Sequence, residues 1–67
     1  MVIVTANLDT YNSAQLFLEL HGDEAVPEAR KMVASMRERG DTDGADIWLR
    51  IIIAIEELRR QANRMVL

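Results

Sequence analysis

GDTDGADIWLRIIIAIEELRR, residues 40–60, is the stretch whose reading decides the fold. It sets Asp41, Asp43 and Asp46 around Gly40 and Gly44 and then runs at once into an apolar segment. Read as a metal loop, it would make a binding protein. Read as a turn and a helix start, it makes a helical domain. An EF-hand loop needs oxygen ligands at loop positions 1, 3 and 5, a glycine at 6 and a bidentate glutamate at 12. With Gly44 at position 6, position 1 falls on Arg39 and position 12 on Arg50. Starting instead at Asp41 puts Asp46 where the glycine belongs. Both registers fail. The helical reading needs less. Gly40 ends one helix in the left-handed conformation, Asp41 or Asp43 caps the next, and Asp46 sits in its first turn.

The segment that follows predicts a helix over 44–64. Trp48, Ile51, Ile55, Leu58, Ala62 and Met65 alternate at spacings of three and four, which is the seam of a packed helix pair. Glu56 and Arg60 stand in the favourable order for an i,i+4 ion pair. Leu49, Ile52 and Ile53 add apolar surface to the side of this seam or opposite it. A helix that is apolar nearly all round for two turns needs cover nearly all round. Leaving two isoleucine-sized side chains bare forgoes roughly 3–5 kcal/mol at about 25 cal/mol per Å². The cover comes from the N-terminal residues, from a second copy or from a different protein. Leu49, Ile52 and Ile53 are therefore the candidate interface.

Upstream, Val26, Ala29, Met32, Val33 and Met36 predict a helix over 24–39, with Pro27 in the first turn, where a missing N–H costs nothing. Tyr11, Ala14, Phe17, Leu18 and Leu20 predict a helix over 10–21, capped by Asp9 or Thr10 and closed by Gly22. The β-branched residues of MVIVTANL, 1–8, favour extended structure and predict a loosely packed arm. The expected core is Phe17, Leu18, Val33, Met36, Trp48, Ile51, Ile55 and Leu58. The fold class is all-α: a single domain over 1–67 with three helices, the second and third an antiparallel hairpin and the first packed across them.

Composition narrows the function classes. The chain is 67 residues long, enough for one domain and too short to bury a large core. It has no cysteine, which excludes disulfides and thiolate metal sites and suits a reducing compartment. The net charge is −3, and the basic residues are interleaved with acids, so no basic face for nucleic acid is expected. A helix-turn-helix reading would point Asp43 and Asp46 at phosphates, which would repel them. IWLRIIIAI is interrupted by Arg50 and too short to span a bilayer, and MVIV is too short for a signal peptide. A cytoplasmic protein is the expectation.

Little else suggests chemistry. His21 is the only histidine and ends a helix, where an imidazolium suits the dipole. HGDEA brings His21, Asp23 and Glu24 close together, with Glu28 a turn further on, a set that a divalent ion could use. Glu56 and Glu57 are adjacent and point about 100° apart, so they are not a facing carboxylate pair. Ser13 and Ser35 have no evident base. No phosphate-cradling glycine loop is present. The methionines read as core or interface filler.

Ser13, Ala14 and Leu16, then His21, Gly22, Asp23, Glu24 and Ala25, then Gly40, Asp41, Gly44, Trp48, Ile51, Ala54, Ile55 and Leu58 form an ordered set over 11–58. It resembles a family of small uncharacterised bacterial proteins with the pattern S-A-x-L, H-G-[DE]-[DE]-A and G-D-x-x-G-x-x-x-W-x-x-I-x-x-A-[IV]-x-x-L. Pro27 and the apolar N-terminus depart from that pattern. The resemblance implies a helical fold and a bacterial cytoplasmic setting, and it transfers no catalytic residue. The expected function is a non-enzymatic protein–protein interaction module that needs no cofactor and self-associates, as a dimer, through the third helix or binds another protein. The alternative is a small ligand- or divalent-metal-binding protein using the HGDEA and GDTDG turns.

Overall fold

In a computed structural model, the backbone of residues 2–65 and the side chains of residues 9–64 are described. The described chain is all-helical. It comprises α1 (Val2–His21), a 3-10 turn (Gly22–Glu24), α2 (Ala25–Glu38) and α3 (Thr42–Met65).

The arm expected over 1–8 is instead the beginning of α1, which starts at Val2. β-Branched residues cost a helix well under 1 kcal/mol each. No glycine or proline interrupts residues 1–21, so nothing stops the helix from propagating upstream. Asp9 and Thr10 therefore lie inside α1 rather than at its N-cap. Whether this segment covers α3 falls on side chains outside those described.

The two junctions have clear causes. Gly22 takes φ +56 and closes α1. Pro27 is the third residue of α2, among the amides that have no acceptor within their own helix. At the other end of α2, Gly40 takes φ +75. Its N–H donates to the Arg37 carbonyl at 3.0 Å, and the Asp41 N–H donates to the Met36 carbonyl at 2.8 Å. Those two bonds make a Schellman motif and satisfy carbonyls that the helix end would leave bare.

Asp41 then starts α3. Its carbonyl accepts the first helical bond from the Ala45 N–H at 3.1 Å, and its Oδ1 accepts the Gly44 N–H at 2.9 Å. Asp41 is thus the N-cap, and Asp43 lies in the first turn. A Cβ at Gly44 would stand 2.6 Å from Asp41 Oδ2 and 2.9 Å from Met36 Sδ. Met36 can swing aside, but the carboxylate can move only by giving up the cap. Gly44→Ala would ordinarily add about 1 kcal/mol of helix propensity, whereas losing the cap costs about 1 kcal/mol. Gly44→Ala is therefore expected to leave the melting temperature unchanged or lower it. In an Asp41→Ala background the same substitution raises it. Equal shifts in both backgrounds would contradict this coupling.

α3 is the central element, packing on both α1 and α2, while α1 and α2 touch each other sparsely. The buried set is Ala14, Ala25, Ala29, Val33, Ala45, Ile51, Ile52, Ala54 and Ile55. Phe17, Leu18, Val26, Met36, Trp48 and Leu58 pack half-buried around it. Of the expected core, Val33, Ile51 and Ile55 are buried, whereas Phe17, Leu18, Met36, Trp48 and Leu58 lie half-buried around a centre rich in alanine. Ala62 is exposed, so the packed seam of α3 ends at Leu58. No Glu56–Arg60 ion pair forms among the described residues; Arg59 reaches Asp23 instead, at 3.8 Å. Both groups are well exposed, and such pairs contribute little.

Candidate interaction surface

The three residues expected at an interface part company. Ile52 is 8% exposed and lies in the core, on the side of α3 that meets α2. It does not belong to an outer face. Leu49 is 37% exposed and Ile53 59%. At 100° per residue, Ile53 points almost directly away from the direction shared by Ile51 and Ile55. Ile52 sits one residue earlier and turns back inward. Apolar composition alone could not separate these neighbours, because each lies within a run that is apolar on every side.

Leu49 and Ile53 stand one turn apart on a ridge between two grooves. The groove between α2 and α3 is lined by Val33, Ala34, Leu49 and Ile52, with Arg30, Arg37 and Glu56 on its rim. The groove between α1 and α3 is lined by Thr10, Tyr11, Arg50, Ile53, Ala54 and Glu57. Ile47 borders a further depression on that side, with Asp9, Ser13 and Arg50. Leu16 and Leu20 leave more apolar surface on α1, both well exposed.

The HGDEA and GDTDG turns are used structurally. His21 lies against Phe17, ring centroids 4.3 Å apart, and Phe17 meets Trp48 edge-on at 5.1 Å. Asp23 pairs with Arg59, and Asp41 is the cap of α3. Among the described residues, no group of three or more histidine or acidic side chains is placed to hold a metal ion. Among the described residues, no helix is long and apolar enough to cross a membrane.

No protein-family model, curated protein or solved structure matches the chain.

A polar link ties α1 to α3: the Tyr11 hydroxyl donates to Glu57 Oε1. Sequence spacing carries no sign of this pair, which is 46 positions apart. The hydrogen bond to Glu57, then loss of hydration, then the Glu57 charge raise the phenol pKa above its ordinary value of 10.0. Folding therefore favours the protonated phenol. That contribution is complete below the unfolded pKa and is lost as pH rises through the folded one. The phenolate absorbance of Tyr11, the only tyrosine, should titrate with a midpoint above 10.0, and Glu57→Ala should bring it down. A midpoint unchanged by Glu57→Ala would remove the link.

Proposed function

We propose that this chain is a non-enzymatic protein–protein interaction module that self-associates through the outer face of α3. The observation that supports it is apolar surface left uncovered at the middle of the longest helix. Ile53 stands 59% exposed there, with Leu49 beside it.

In this reading α2 and α3 form an antiparallel hairpin with α1 across it. α3 then offers a partner the side that faces neither neighbour. The ordered HGDEA and GDTDG pattern supports a place among the small bacterial proteins it resembles, and with it a cytoplasmic setting. The test is mass against concentration by sedimentation equilibrium. The wild-type chain is expected to dimerise at micromolar concentration, and Ile53→Asp to be monomeric with its helical circular dichroism retained. A wild-type chain that stays monomeric up to millimolar concentration would overturn self-association.

A further inference from the structure

Along one edge of α3 lie Asp43, Arg50, Glu57 and Arg64, seven residues apart and alternating in sign. Seven residues fall about 20° short of two full turns, so the four side chains form one stripe. It flanks the Leu49–Ile53 ridge, with Arg50 and Glu57 lining the same groove as Ile53. Among the described residues, Asp43, Arg50 and Arg64 have no ion pair. Glu57 gives Oε1 to Tyr11 and keeps its second oxygen.

Resting on the self-association reading above, we propose that the occupant of this face is a second copy of the chain, docked antiparallel on a twofold axis between residues 53 and 54. Read backwards, the stripe −,+,−,+ becomes +,−,+,−. An antiparallel copy in this register sets Arg50 against the partner's Glu57 and Asp43 against the partner's Arg64, each pair made twice. In this register Asp46 falls opposite the partner's Gln61, and the partner's Arg60, one residue away, lies close enough to reach it. Ile53 lies beside the axis and meets its own copy. A parallel copy would carry its stripe to the opposite flank of the interface and make none of these pairs, and an antiparallel copy slipped by seven residues in either direction sets like charges together. Charge thus selects both direction and register, while the apolar ridge supplies the attraction.

The absence of cysteine makes the arrangement testable by two routes. By sedimentation equilibrium, Arg50→Glu is expected to weaken the dimer about tenfold, because two attractive pairs become repulsive. Arg50→Glu with Glu57→Arg in one chain restores it. Unchanged association of Arg50→Glu, in a chain whose wild type dimerises, overturns the antiparallel register and leaves self-association standing. A wild-type monomer at every concentration overturns both. The second route holds if the double variant does not fold. Asp46→Cys and Arg60→Cys chains, mixed and mildly oxidised, should cross-link to each other and not to themselves. Self-cross-linking of Asp46→Cys, without the mixed product, marks a parallel pair and overturns the proposal.

Discussion

Ile55→Ala should cost about 2–5 kcal/mol of unfolding free energy. Among the described residues, Ile55 is the one large side chain that is fully enclosed, at 0% exposure. Its neighbours in the core are mostly alanines, whose short side chains cannot swing in to fill the space it leaves. The cost should therefore fall toward the upper part of that range, since the cavity term grows when a site cannot collapse. A 67-residue domain has a total stability of about 3–10 kcal/mol, so the variant will be largely unfolded or steeply destabilised at room temperature. Ile53→Ala provides the matched control, with the same atoms removed two positions away on the outer face. It should change the stability of the monomer by less than about 0.5 kcal/mol. Urea denaturation followed by circular dichroism measures both, at a concentration below that of any dimer. Similar midpoints for the two variants would refute the inward and outward assignment of α3.

Trp48→Ala should be the next most damaging change, at about 2–4 kcal/mol. Trp48 is only half-buried, so it loses less than an enclosed tryptophan would. It also holds the edge-on contact with Phe17, and through Phe17 the ring of His21. That cluster ties the C-terminal half of α1 to the start of α3. Loss of Trp48 should therefore loosen α1 first. Amide hydrogen exchange is expected to show earlier exposure of residues 14–21 than of α2. Uniform loss of protection along the chain, with a small drop in stability, would mean that the cluster does not anchor α1.

The parts of the fold that were legible share a local cause. Gly22 and Gly40 stop helices because a left-handed residue ends the i to i−4 ladder, whatever surrounds it. Asp41 caps α3 because its side chain reaches an amide three residues on. The apolar period of α2 gives its inward face directly, and on α3 the spacing of three and four picks out Ile51 and Ile55, both buried. By contrast, the start of α1 was misplaced because β-propensity at 1–8 is a weak preference, and nothing in that stretch forbids a helix. The sequence places Gly44 at the start of α3 without a reason for glycine there. It is required because the capping carboxylate and Met36 occupy the space a side chain would need.

The candidate surface was half legible. A count of apolar residues on α3 showed that one neighbour too few was available, and Leu49 and Ile53 answer to that. It could not place Ile52, since a segment apolar on every side has no preferred direction of its own. The presence of helices, their ends and the excess of apolar surface on α3 all follow from the sequence, because backbone conformation and short-range bonding depend on residues within a turn or two. Which of Leu49, Ile52 and Ile53 faces outward, and that Tyr11 meets Glu57, was decided only by tertiary packing. Both depend on how α1 and α2 lie against α3, around a core in which five alanines are buried, and not on any local pattern.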